Sequence, residues 1–196
     1  MKEKLLIVGM GGHGKSCLLT LSRLSSYKIQ GYVDKKNKYI KNLNYLGNDK
    51  NLLLIRKKIS KAVIGVGQIK TYKIRYKIYK SLKKLGYQLP TILSKSSIVS
   101  KGAIIGESSI LMENTFVNAE VEIGFNCIVN TGAIIEHNVK IGNNCHISTG
   151  AIVNGDCVIG DNCFVGSRVV INNGVKIGKN NIIPSGSIVR SNIQNK

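Results

Sequence analysis

From Val99 to Val189 every sixth residue is aliphatic, sixteen positions in unbroken phase and nearly all of them Val or Ile. β-Branched side chains favour extended chain, so this period reads as a very short strand and a turn, repeated. Four residues after each aliphatic position comes a compact side chain, as at Ala103, Ser109, Thr115, Cys127, Ala133, Cys145 and Ala151. The residue directly after it is often Gly or Asn (Gly106, Gly124, Asn130, Gly142, Asn154), types that accept unusual backbone angles or a close neighbouring backbone. One large and one small inward residue per hexad, three hexads to a turn, predict a triangular coil with parallel pairing between successive turns.

Residues 1–97 keep a different rhythm. Leu5 to Val8 reads as a buried strand, and Gly9-Met10-Gly11-Gly12-His13-Gly14 as a glycine-rich turn opening a helix to about Leu24. Ile29 to Val33 is a second strand ending at Asp34, and Ala62 to Val66 a third, before Gly67. A helix from about Tyr72 to Leu85 stops at Gly86, with a short strand near Leu89 to Leu93. Strand and helix in alternation predict a small Rossmann-like α/β domain with a parallel sheet over 1–97, followed by an all-β helix over 98–196. Ligands of such sheets sit beyond the strand C-termini.

The glycine-rich turn admits two readings. Gly9 to Ser16 satisfies G-x-x-x-x-G-K-[ST], in which amides and Lys15 would cradle a triphosphate. It also reads as the dinucleotide-type turn Gly9-x-Gly11, with Asp34 downstream where a ribose hydroxyl would be held. An NTPase needs a longer sheet and a carboxylate after a later strand, and Asp34 comes too early for that, so the second reading is preferred. Both present backbone amides to a phosphate at a helix N-terminus, which suits a nucleotide diphosphate.

Charge is uneven. The net value is +19, and up to residue 97 there are 22 Lys+Arg against 3 acidic residues, whereas the remainder is balanced at 7 and 7. Lysines spread along one predicted helix, from Lys73 to Lys84, read as a solvated face, and no RNA-binding or zinc-finger spacing accompanies them. Neither a nucleic-acid nor a membrane partner is expected. No apolar stretch has the length of a signal-peptide core or a membrane span, which makes the cytoplasm the expected compartment. Cys127, Cys145, Cys157 and Cys163 obey the compact inward phase and Cys17 falls in a predicted helix, so buried free thiols are expected and no metal.

The hexads resemble the left-handed parallel β-helix of hexapeptide-repeat acyltransferases. With Gly-x-Gly-Gly-His-Gly, then Ile64-Gly65-Val66-Gly67, then Ile135-Glu136-His137 and His146-Ile147-Ser148-Thr149-Gly150-Ala151, nearly the whole chain resembles the NeuD/PglD family of sugar acetyltransferases. The resemblance implies a homotrimer that uses acetyl-CoA as co-substrate, bound in grooves between subunits. It implies acetylation of the amino group of a nucleotide-linked amino sugar for bacterial surface glycans, or alternatively of a hydroxyl on sialic acid or another sugar.

Attack on a thioester needs a proton acceptor and an oxyanion donor, roles suited to a near-neutral histidine and a backbone amide. His137 is the candidate base, and Gly155, one coil later, should stack on it. By resemblance Gly155 is the oxyanion donor, Glu136 belongs to the catalytic group, and Asn130 lines the substrate site. By the same route His146, Gly150, Ala151, Gly166 and Ser167 would meet the coenzyme, and Gly11, Gly12, His13, Asp34 and Gly67 the nucleotide sugar. Asn138 departs from the family, which commonly has an acidic residue after the base to polarise the imidazole. Among rivals, a γ-type carbonic anhydrase would need three histidines for zinc, and only His137 and His146 lie in the predicted helix. A non-catalytic β-helix would give His137 no role.

Overall fold

The computed structural model describes residues 2–196. The chain divides into two compact units, one made of Met1–Gly67 with Lys73–Pro90, the other of Gln68–Tyr72 with Thr91–Lys196.

In the first unit, β1 (Glu3–Val8) is the central strand of a parallel sheet between β2 (Tyr27–Val33) and β3 (Lys61–Ile64). Helix α1 (Gly12–Ser22) follows β1, a short α2 (Leu52–Arg56) precedes β3, and α3 (Lys73–Lys84) follows it. The apolar run of β1 is buried together with Val33, Leu52, Ile64, Leu82 and Tyr87. Helix α3 ends as the sequence predicts: Gly86 has φ +79, its N–H donates to Lys83 O, and Tyr87 N–H reaches back to Leu82 O. That pairing satisfies carbonyls the helix would otherwise leave open. One cation in α3 does not belong to its solvated face. Arg75 is buried, and its Nη1 donates to Ile64 O (2.7 Å) and Val66 O (2.9 Å), holding the carbonyls where β3 ends.

The strand expected near Leu89 to Leu93 does not join this sheet. Gln88 makes a lone parallel bridge to Lys61, and Pro90 has no N–H with which to prolong it. Ile92–Leu93 pairs instead with Ile110–Leu111. Leu93 is itself in the hexad phase, so the coil starts one strand earlier than Val99.

The second unit is a parallel β-helix of two-residue strands on three faces. The first face runs from Ile92–Leu93 to Ile182–Ile183, the second from Ile98–Val99 to Ile188–Val189, and the third from Ile104–Ile105 to Lys176–Ile177. Each strand pairs with the one a full coil away, as Ile128 with His146 and Ile134 with Ile152. The second residue of each strand points inward. Val117, Val129, Ile135, Val153, Val165 and Ile171 are wholly buried, each contributing roughly 1.5–3 kcal/mol of hydrophobic stabilisation. The compact positions join them, including Ala133, Ala151 and all four cysteines of the phase.

The turn conformation is not where the sequence reading put it. From Gly102 to Gly186 every sixth residue has positive φ, and these lie three residues after the inward aliphatic one. Asn holds six of these positions and Gly five, the types that enter the left-handed region most cheaply. Glycines directly after the aliphatic residue serve close packing: a Cβ on Gly106 would sit 2.7 Å from the Gly124 carbonyl carbon, and one on Gly142 2.7 Å from Asp161 N. Along one corner the turn asparagines hydrogen-bond in series, Asn126 Nδ2 to Asn144 Oδ1 (2.9 Å), Asn144 to Asn162 (3.2 Å) and Asn162 to Asn180 (3.0 Å). Among the described residues no helix is long and apolar enough to cross a membrane.

Candidate active site

His137 and Gly155 meet at the corner between the second and third faces. The exposed imidazole lies flat on Gly155, where a Cβ would fall 2.7 Å from Nε2 and 3.0 Å from Nδ1, so only glycine leaves the ring this close to the next coil. Asp156 N–H donates to His137 O at 3.0 Å, fixing the two turns in register. The Gly155 N–H makes no hydrogen bond among the described residues, while its carbonyl accepts from Gly174 N–H. An imidazole beside an open amide offers the two kinds of group, a proton acceptor and a hydrogen-bond donor, that attack on a thioester needs.

The acids nearby in sequence are directed elsewhere. Glu136 Oε2 accepts from Asn118 Nδ2 at 2.7 Å, one coil back. Asn138 occupies a left-handed turn position with φ +60, and its Nδ2 donates to Asp156 Oδ1 at 2.9 Å. The Asn138 amide thus holds a carboxylate from the following coil.

His146 is nearly buried on the outer side of the first face, packed edge-on against Phe164. Thr131 N–H donates to Asn130 Oδ1 (2.9 Å), which fixes the Asn130 amide with its Nδ2 toward His146 Nε2 (3.3 Å). Nε2 therefore accepts, and Nδ1 carries the proton that it donates to Gln68 O (2.6 Å). Both ring nitrogens are taken up within the chain, so a hydrogen bond from His146 to the expected coenzyme would need one of these contacts to open. Gln68 Nε2 donates to Asn144 O (2.5 Å), while its buried Oε1 has no partner. Nothing in the sequence pointed to Gln68, which is separated from His146 by 78 positions.

The other coenzyme candidates lie at the corner between the first and second faces. Gly150 has φ +64, a Cβ there would touch Arg168 Cγ at 3.7 Å, and Ser167 Oγ hydrogen-bonds Ser148 Oγ (3.0 Å). Gly166 is buried against Ser185 of the next coil. Ala151 points into the core, its N–H paired with Ser148 O and its carbonyl with Ile134 N–H, so it has no side chain to offer a ligand. His137 and Gly155 are thus at one edge of the second face, and Asn130, Gly150 and Ser167 at the other. Between them that face shows an apolar outer column: Ile98, Phe116, Ile134, Ile152, Val170 and Ile188.

The α/β unit has a cleft of about 330 Å³ at the C-terminal ends of its strands, and Gly11, Gly12, His13, Asp34 and Gly67 all line it. Helix α1 starts at Gly12, so the loop from Gly9 is too short to wrap a triphosphate, and Lys15 is absent from the lining. The glycines instead follow the dinucleotide division of labour. Gly9 turns the chain at φ +94, Gly11 stands open, and a Cβ on Gly14 would run into the Gly9 carbonyl. Asp34 stitches the cleft: Oδ2 accepts from Met10 N–H (2.7 Å) and Lys38 Nζ (2.9 Å), and Oδ1 from Lys35 N–H (2.7 Å). Burial would raise its pKa, but these hydrogen bonds and the Lys38 charge outweigh it and hold the carboxyl below its ordinary value. His13 packs over Gly67, with Nε2 3.4 Å from Cys17 Sγ.

Residues 4–82 match the PglD N-terminal domain, and residues 120–155 and 156–191 match the six-repeat bacterial transferase hexapeptide family. No curated protein sequence matches the chain. Among solved structures, PerB from Caulobacter crescentus in complex with CoA and GDP-perosamine is 25% identical with a TM-score of 0.92, covering 98% of this chain and 91% of that one. A variant of perosamine N-acetyltransferase from the same organism, also with CoA and GDP-perosamine, is 24% identical with a TM-score of 0.93 over 98% and 91%. The acetyltransferase domain of PglB from Neisseria gonorrhoeae, in complex with acetyl coenzyme A, is 24% identical with a TM-score of 0.89 over 99% and 94%. A glycine-turn α/β domain of the PglD type leading into hexapeptide coils that bring a histidine onto a glycine makes this chain an acyltransferase of the NeuD/PglD-like family.

Proposed function

We propose that the protein is a sugar acetyltransferase that moves the acetyl group of acetyl-CoA onto the amino group of a nucleotide-linked amino sugar in surface-glycan synthesis. The observation that carries this reading is the His137 ring resting on Gly155 with the Gly155 N–H unengaged. His137 takes the proton from the attacking amine, the amine bonds to the thioester carbonyl carbon, and the Gly155 N–H stabilises the resulting oxyanion. Collapse then breaks the carbon–sulfur bond, the departing sulfur takes the proton back from His137 to leave as CoA thiol, and the amide remains. The cleft of the α/β unit, lined by glycine amides, Lys35 and Lys38, suits the nucleotide diphosphate. CoA and GDP-perosamine bound together to PerB support the pairing of coenzyme and nucleotide sugar.

The active form in this reading is a homotrimer. The apolar outer column of the second face is the surface to be covered, and packing it against a neighbour brings the His137 corner of one copy to the Asn130–Gly150–Ser167 corner of another. Neither corner alone holds both the base and the coenzyme candidates. The test is CoA release against a panel of UDP-, GDP- and dTDP-linked amino sugars, with sialic acid beside them. His137→Ala is expected to lose on the order of 10²–10⁴-fold in rate while keeping its fold. Light scattering checks the assembly: a trimer is expected for the wild type and a monomer for Ile134→Lys/Ile152→Lys. Unchanged turnover in His137→Ala would remove it from the mechanism, and turnover only with sialic acid would move the acceptor from amine to hydroxyl.

A further inference from the structure

The Gly155 amide stands open next to a side chain, Asn154, that is turned away from it. At three other places in the chain an Asn or Asp turns its side-chain oxygen onto the N–H of the very next residue: Asn118 to Ala119 (2.8 Å), Asn130 to Thr131 (2.9 Å) and Asp34 to Lys35 (2.7 Å). Asn118 occupies the same corner as Asn154, two coils earlier. Asn172, one coil later at that corner, makes no such cap, but an asparagine turned as Asn118 is would cover the Gly155 N–H, the group on which the proposed chemistry depends. Asn154 does not. Its Nδ2 donates to Ile171 O at 2.8 Å, a carbonyl that also accepts the Asn154 backbone N–H at 3.1 Å.

We infer that Asn154 is a positioning residue: by anchoring its amide on Ile171 O it keeps its own oxygen off the Gly155 N–H and leaves that donor for the oxyanion. This rests on Gly155 serving as the oxyanion donor. The anchor requires a side-chain donor, which only the amide nitrogen supplies. A carboxylate in its place is repelled by the Ile171 carbonyl and turns toward the next N–H, the contact that Asp34 makes to Lys35 in the same chain.

The prediction is therefore an inverted order of severity. Asn154→Asp, nearly isosteric, captures the Gly155 N–H and lowers kcat on the order of 10²-fold, the loss associated with one oxyanion donor, with KM for acetyl-CoA little changed. Asn154→Ala, which removes both the anchor and any cap, stays within about tenfold of wild type. A residue needed only for structure would show the opposite order, because alanine deletes the hydrogen bond and the packing together. Both variants are assayed by CoA release beside wild type, with thermal midpoints measured in parallel. Equal kcat in Asn154→Asp and wild type, or alanine worse than aspartate, overturns the inference. Absence of any acetyl transfer by the wild type overturns the functional reading itself, so the two failures are distinguishable.

Discussion

Gly155→Ala isolates the contact on which the chemistry is built. The backbone at Gly155 is not in the left-handed region, so alanine adds no strain there, and the N–H that would hold the oxyanion is retained. The added Cβ would lie 2.7 Å from His137 Nε2, and closer still to Cε1, where ordinary contact begins at 3.4 Å. Carbon and nitrogen atoms cannot share that space, so the imidazole must retreat by about 1 Å, a displacement that typically costs about 10²-fold in rate when it falls on a catalytic group. Because His137 is exposed, the ring can swing into solvent, and the stability change should stay within about 1 kcal/mol. The assay is CoA thiol release under saturating acetyl-CoA, with thermal unfolding followed on the same preparations. A double variant adds a sharper criterion. If the methyl acts by displacing the ring, His137→Ala and His137→Ala/Gly155→Ala should have nearly the same rate, since the object being displaced is gone. A Gly155→Ala enzyme with wild-type kcat would refute the argument, and so would a rate loss that persists undiminished in the absence of His137.

Arg75→Met should destabilise the α/β unit by about 3 kcal/mol, since the buried Ile64 carbonyl and the half-buried Val66 carbonyl each lose a charge-assisted hydrogen bond; chemical denaturation measures it, and a change within error would show that Ile64 O and Val66 O find other donors. Asp34 and Asp161 have pKa values held below the ordinary carboxylate value, so their contribution is complete at neutral pH and is lost as pH falls through those lowered values, below about 4. Stability should accordingly be flat from pH 7 to 5 and then drop, and Asp34→Asn should flatten part of that acid limb; an unchanged limb would mean that Asp34 does not hold the turn. None of the five thiols should react with a thiol reagent in the native state and all five after denaturation, because every one is buried and hydrogen bonding with Cys127 and Cys163, together with burial, keeps Cys145 protonated. Rapid labelling of a native thiol would contradict the packed column.

Periodicity carried much of this fold on its own. A six-residue aliphatic phase is buried by a three-faced coil, so the coil, its inward side and the packing of four cysteines follow from spacing, and so does the stacking of Gly155 on His137 one turn later, whereas the hand of the coil does not. The glycine turn with its strand and helix was legible for the same reason, since each element is local. The phase of the turns was not: Gly and Asn stand both where φ is positive and where the next coil comes close, and only coordinates separate the two uses. Tertiary structure alone decided the partners of polar groups far apart in the chain. It spent Asp34 on the Met10 N–H, engaged both nitrogens of His146 through Asn130 and Gln68, buried Arg75 among lysines that stay solvated, and turned Asn154 away from the amide it precedes. Burial of an apolar side chain depends on its own character and register, whereas a hydrogen bond depends on where a second group, dozens of residues away, has been carried by everything folded between them.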